Sequence, residues 1–158
     1  MSIEKVKAYF KNYGREQDIK EMPDSCATVE LAAQALNVIP ARIAKTMALK
    51  QENGCVLIVT AGDSKIDSQK FKSFFGIKAK MLTSEEVVNI VGHAPGGVCP
   101  FAINETLVTV YTDISLQRFD TVFPSAGSHN SLIELNCDEL FQFSHSKEWV
   151  DLCKGWQE

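Results

Sequence analysis

The chain has 158 residues, 45% of them hydrophobic, and a formal net charge of −4. That length supports one compact core and is short for two, and the apolar content excludes disorder as a description of the whole chain. The acidity argues against a stand-alone, high-affinity nucleic-acid binder, but leaves open an enzyme that touches nucleic acid locally or receives it from a partner. The longest apolar runs, such as Cys55-Val56-Leu57-Ile58-Val59, are strand-sized and too short to span a bilayer. Charges scattered through the N-terminal segment leave no apolar core for a signal peptide, so a soluble, cytoplasmic protein with no membrane contact is expected. The five cysteines (Cys26, Cys55, Cys99, Cys137 and Cys153) are widely spaced and odd in number, which points to reduced thiols. His93, His129 and His145 complete no zinc spacing, and no metal or other cofactor is expected.

In chain order, Ile3, Val6, Phe10 and Tyr13 recur at helical spacing, with lysines between them and Gly14 as a stop. An extended piece follows around Ile19 to Met22, and Thr28 then caps a helix carrying Leu31, Ala32, Ala35 and Leu36. Pro40 suits the first turn of a brief helix to about Ala44. From Lys45 the pattern alternates, and Asn53-Gly54 between two strand-like runs signals a hairpin into the strand Cys55 to Thr60. Asp67 to Phe75 reads as a helix ended by Gly76, and Ala79 to Leu82 as a short strand. Thr83-Ser84-Glu85-Glu86 is a capping box that opens a helix stopping at Gly92. Leu107 to Thr112, Thr121 to Pro124 and Ser131 to Leu135 are strand-like, with a turn-rich link from Ser125 to Asn130. Asn136 with Glu139 opens another helix through about Phe143, and Ser146 to Lys154 is expected to form a short terminal helix. Helices and strands are mixed in one domain spanning residues 1–158, an α+β or mixed α/β fold.

The segment from Gly92 to Pro100 holds three glycines and two prolines, so it can form neither a helix nor a central strand. It suits a fixed loop whose main-chain N–H groups face a ligand oxygen, and equally a structural turn between two core elements. Lys45 is the one charge in Ile43-Ala44-Lys45-Thr46-Met47-Ala48-Leu49; it either snorkels to the surface or faces an anionic or carbonyl group in a pocket. Cys99, six residues after His93, invites a thiol–imidazole reading, against which stands the commoner fate of a free cysteine as an inert core residue. His93 fits a hydrogen-bonded position at a helix end, and His129 a turn. Glu134 is ordinary strand alternation beside Ile133 and Leu135. Two lysine-rich stretches, Lys5-Lys7-Lys11-Arg15 and Lys65-Lys70-Lys72-Lys78-Lys80, read first as solvated helix faces and second as a local basic patch.

Taken together and in order, Ala44-Lys45-Thr46, the GxxxP run Gly96-Gly97-Val98-Cys99-Pro100, and Ser125-Ala126-Gly127 followed by Leu132-Ile133-Glu134-Leu135 resemble the YbaK/EbsC family. This family is also called the prolyl-tRNA synthetase-associated, or prolyl-tRNA editing, domain superfamily. The resemblance runs from about Thr28 to Leu140. It implies a mixed α/β domain with a curved, barrel-like sheet surrounded by helices. It also implies hydrolysis of the ester joining a wrong, small amino acid to tRNA, typically tRNA(Pro), by a free-standing protein acting in trans. Lys45 matches the family's essential lysine, and Gly96 and Pro100 the ends of its loop.

On that resemblance, amides from Gly96, Gly97, Val98 and Cys99 stabilise the tetrahedral oxyanion, and Lys45 binds the terminal phosphate or orients the ester. A ribose hydroxyl of the substrate activates the water, and Cys99 contributes backbone, not sulfur. Thr46 and the run Ser125, Ala126, Gly127, Ser128 and His129 depart from parts of the family pattern and are the expected wall of the amino-acid pocket. The partners implied are the 3′ aminoacyl-adenosine end of a mischarged tRNA and prolyl-tRNA synthetase. The same lysine and glycine loop are also compatible with a non-catalytic module that binds tRNA or an amino acid for regulation.

Overall fold

The fold, taken from a computed structural model, is described for residues 2–94 and 97–156. Helix α1 (Ser2–Lys11) leads to the short strand β1 (Ile19–Glu21) and helix α2 (Val29–Leu36). The hairpin β2 (Ile43–Gln51) and β3 (Gly54–Ala61) follows, then β4 (Lys65–Ile66) and α3 (Ser68–Phe75). One helical turn, α4 (Ser84–Glu86), continues into a π-helical turn over Val87–Val91. The second half holds β5 (Val108–Asp113), β6 (Phe123–Pro124), β7 (Ser131–Ile133), α5 (Cys137–Phe143), β8 (Trp149–Val150) and β9 (Cys153–Lys154). A five-stranded mixed sheet in the order β6-β2-β3-β5-β8 forms the centre, flanked by the two-stranded pairs β1-β7 and β4-β9. This is the mixed α/β architecture the sequence predicts.

Local chemistry fixes the helix starts. Thr28, Asp67, Thr83 and Asn136 each accept main-chain N–H bonds at the first turn of α2, α3, α4 and α5, and Thr83 and Asn136 form reciprocal capping boxes with Glu86 and Glu139. Strand β3 is an unbroken apolar run because it is central and covered on both faces. Cys55, Leu57 and Val59 join Ala44, Ala48, Val108 and Val110 in the larger core, under α1, the 87–91 turn and α5. Val56 and Ile58 turn the other way with Leu49 and Tyr111, onto Phe71 and Phe75 of α3 and onto Val150 and Leu152.

Three expectations are corrected, and the polar turn expected at Gln51-Glu52-Asn53-Gly54 is present. Ser146 to Lys154 is not a helix: Val150 and Leu152 are buried with exposed Asp151 between them, a period of two, and the segment forms β8 and β9. Its main chain is claimed by the sheet, with Lys147 N–H donating to Val110 O and Leu152 N–H to buried Asp113. The residues from Ala79 to Leu82 make isolated bonds to β2 and no regular strand. In the hairpin, Gln51 pairs with Gly54, so Glu52 and Asn53 make the turn. Gly54 is needed because a Cβ there would lie 2.0 Å from the Leu107 carbonyl oxygen. On α2 the packed residues are Ala32 and Ala33, with Leu31 exposed.

Candidate functional site

Strand β2 has a gap along its outer edge. Strand β6 pairs in parallel with Ile43 and Ala44 and goes no further. Beyond it, Leu82 N–H donates to Ala48 O (3.1 Å) and Lys50 N–H to Lys80 O (2.8 Å), so the segment 80–82 covers the far end. Ala48 and Lys50 therefore direct their main-chain groups outward, and by strand alternation Thr46 does the same. Among the described residues no strand pairs with β2 at Thr46 on that side. The Thr46 hydroxyl oxygen is also buried without a hydrogen-bond partner. A buried polar group left this way among the described residues costs about 1–3 kcal/mol, as do Thr60 Oγ1 and His93 Nδ1 elsewhere; at Thr46 it coincides with the gap in β2.

The gap opens into a cavity of about 120 Å³. Thr28, Val29 and Ala32 of α2 form one wall, Ile43 to Thr46 the floor, and Cys26, Val98, Ser125 and Leu132 close it. Three sequence motifs distant in the chain thus meet: Lys45-Thr46, the Gly/Pro loop through Val98, and Ser125 at the start of the turn-rich link. Cys26, Thr28 and Val29 were not among the expected wall residues. The only sequence signal in that segment is the Thr28 cap, which speaks of helix start and not of a pocket.

Lys45 is half-buried, and its ammonium donates to the Ser64 carbonyl at 2.5 Å. Ser64 is itself fixed, with N–H and hydroxyl both on Ala61 O (3.1 and 2.7 Å), and the next residue back, Asp63, is held by Arg118 at 2.6 and 3.0 Å. Desolvation pushes the Lys45 ammonium below the ordinary lysine range, opposed by the nearby Cys153 and Asp63. Lys45 also lines a second hollow of about 220 Å³ with Met47, Leu49, Lys65 and Met81. Its side chain and that of Thr46 leave opposite faces of β2, and Lys45 is common to the linings of the two hollows.

The loop and the turn-rich link are packed against each other. A Cβ on Gly97 would lie 2.8 Å from Ser128 Cα and 2.9 Å from the Gly127 carbonyl group, so only glycine fits. Gly97 N–H donates to Ala94 O (2.8 Å), which keeps it within the loop. Gly96 lies outside the described residues. Pro100 is buried, and it faces a different hollow with Tyr9, Ile103, Phe143 and His145. Ala126 is buried in the core, Gly127 takes a left-handed φ of 102°, and Ser128 ties the turn by bonding to Ser131 and Asn130. His129 is exposed, and its carbonyl accepts Cys26 N–H (2.5 Å), pinning the cavity's Cys26 corner. Ser125 is the residue of that run that lines the cavity; the others hold it in place.

Cys99 and His93 do meet, at 3.5 Å from Sγ to Nε2, but both are buried at 1% exposure or less. His93 Nε2 lies 2.8 Å from the Phe101 carbonyl, so that nitrogen carries the proton and donates. It is then unable to accept the thiol's proton. Burial pushes the Cys99 thiol up to about 12 and His93 below its ordinary range, which keeps both neutral. The pair is core, not a nucleophile and base. Glu134 accepts from Thr121 Oγ1 (2.5 Å) and Arg42 (3.4 Å), away from the cavity.

Comparison with known proteins places the chain in a family. Residues 23–143 match the model of the aminoacyl-tRNA editing domain, and the chain belongs to that family. It is 48% identical over 158 residues to an uncharacterised Bacillus subtilis protein, YwhH, covering 99% of this chain and 100% of that one. It is 30% identical over 121 residues to a proline–tRNA ligase of Staphylococcus aureus, covering 72% of this chain but 21% of the ligase. A crystal structure of a candidate trans-editing enzyme for prolyl tRNA synthetase superposes with a TM-score of 0.86 at 28% identity, covering 98% of each chain. Among the described residues no helix is long and apolar enough to cross a membrane.

Proposed function

We propose that this protein is a trans-editing deacylase that hydrolyses the ester of a mischarged aminoacyl-tRNA, with tRNA(Pro) carrying a small non-cognate amino acid as substrate. The observation that carries the reading is the gap in β2: among the described residues no strand pairs with its edge at Thr46, where a cavity of amino-acid size opens beside Lys45. Membership of the editing family and the likeness to the candidate trans-editing enzyme support it.

In this mechanism the aminoacyl group enters between α2 and β2. Thr46 offers its hydroxyl and main-chain groups to the amino acid's polar atoms, and Ser125 bounds the side chain. Water attacks the ester carbonyl, activated by the ribose hydroxyl of the substrate, and the negative charge that develops falls to the Val98 and Cys99 amides of the loop. The ester C–O bond then breaks, the ribose oxygen leaves with a proton, and free amino acid and tRNA are the products. Lys45 holds the terminal nucleotide's phosphate or orients the ester; its bond to Ser64 fixes the side chain in a known direction. Such editing is needed because a synthetase pocket rejects a smaller or near-isosteric amino acid only weakly. Prolyl-tRNA synthetase is the partner from which the mischarged tRNA would come.

The test is deacylation of tRNA(Pro) charged in turn with Pro, Ala, Cys, Ser and Thr, comparing the wild type with Lys45→Ala. Lysine-dependent release of one wrong amino acid with Pro-tRNA spared is the expected result. Saturable binding of charged tRNA without any turnover would replace this reading with that of a binding module.

A further inference from the structure

The sixteen residues from Lys65 to Lys80 carry five lysines and a single carboxylate, Asp67, in a chain whose net charge is −4. The fold does not disperse them. Strand β4 and the segment 79–81 flank the second hollow, where Lys65 faces Lys45 across Met47, Leu49, Ile66 and Met81. Ser68 opens α3 on the same rim, and Lys72, one turn on, continues that side of the helix. Ala79 and Met81 form the other rim, and Lys80 between them is held by the bond of its carbonyl to Lys50 N–H.

The ion pairs of the described residues leave this group out. Lys50 is paired with Glu86 and Lys70 with Asp151, whereas no carboxylate pairs with Lys65, Lys72, Lys78 or Lys80, all of them exposed. Asp67 spends its carboxylate on the cap of α3. Lys65 stands directly opposite Lys154 in the β4-β9 pair, an arrangement of like charges that opposes folding. Lys65 also depresses the basicity of Lys45. A cationic face assembled against its own repulsion, beside an apolar floor, is complementary to a polyanion with unstacked bases.

We infer that the acceptor end of the tRNA docks along this face, its phosphates on Lys65, Lys72, Lys78 and Lys80 and its terminal base in the hollow lined by Met47, Leu49 and Met81. The inference deepens the proposed deacylase reading and rests on it for the choice of RNA. Lys45 lines both this hollow and the candidate cavity, so a strand bound here would bring its 3′ end beside the gap in β2. The local charge also reconciles an acidic protein with an anionic substrate.

The experiment uses the full chain and the triple variant Lys72→Glu/Lys78→Glu/Lys80→Glu, none of which lines the aminoacyl cavity. Three measurements are made on each: hydrolysis of a misacylated tRNA(Pro), hydrolysis of the same amino acid esterified to adenosine, and binding of uncharged tRNA(Pro) at several salt concentrations. The expected result is a KM for the tRNA substrate raised about 10-fold with kcat kept, unchanged hydrolysis of the adenosine ester, and a salt dependence of log K shallower by about 2. A variant with wild-type KM and salt slope would overturn the inference while leaving the deacylase reading standing. If the wild type cleaves neither ester, the deacylase reading fails, and the salt-dependent binding of uncharged tRNA still decides the docking face.

Discussion

The Gly/Pro loop faces two ways at adjacent residues: Val98 lines the cavity beside β2, and Cys99 points into the core against His93. The inward side has the more reactive residue types and the less reactive arrangement. Its imidazole nitrogen is committed to the Phe101 carbonyl, its thiol is held protonated, and water has no access. The outward side offers a threonine, a serine, a lysine and main-chain groups, none reactive alone, but they line a cavity beside a strand edge that no described residue pairs at Thr46. What separates the candidate site from the core here is a cavity beside it and not intrinsic nucleophilicity; His93 Nδ1 is left as unpartnered as the Thr46 hydroxyl.

The sharpest way to break this contrast is Lys45→Ala, for which deacylation is expected to fall about 100-fold or more with the fold kept by circular dichroism. Retained hydrolysis would remove Lys45 from the chemistry. Gly97→Ala drives a methyl group into the Gly127–Ser128 backbone and is expected to cost roughly 2–4 kcal/mol in urea unfolding, with activity falling as the loop shifts. A neutral result would mean that the loop and the turn are not locked together.

The alkaline limb of stability reports the inward side. Cys99 and Cys153 are pushed up to about 12 from an ordinary 9.0. Their contribution is fully present below pH 9, where both states hold the protons, and is lost as the pH climbs from 9 towards 12, because the unfolded chain releases them first. Thermal melts should therefore fall through that window, and Cys99→Ala should flatten the fall. Smallest of all is the effect of Cys99→Ser on hydrolysis, expected to stay within about 3-fold of wild type. Native protein should correspondingly react with iodoacetamide at half-buried Cys26 before Cys99 or Cys153. Inactivation by alkylation of Cys99 would restore the thiol mechanism.

Much of the fold is legible because its signals are local. The caps at Thr28, Asp67, Thr83 and Asn136 and the apolar run of β3 each depend on residues within one turn or one strand. The terminal segment is misread because alternation over Val150, Asp151 and Leu152 is too short to outweigh helix-favouring neighbours. Its strands exist only through pairing with β5, about forty residues earlier, and with β4, about ninety residues earlier. Of the site, Lys45, Thr46, Val98 and Ser125 could be named from motifs. Cys26 and Val29 could not, since their approach to β2 is set by where α2 packs.

By itself the sequence determined the mixed α/β class, the capped helix starts and the hairpin, and its motifs resemble the editing family to which the chain belongs. Only the tertiary structure decided that Cys99 and His93 are sealed, that Lys45 lines two hollows, and that Lys65 lines one of them beside it. The reason is physical. Propensity and capping are written in neighbours along the chain, whereas burial, unpaired strand edges and summed charge arise from contacts that many residues of separation bring together.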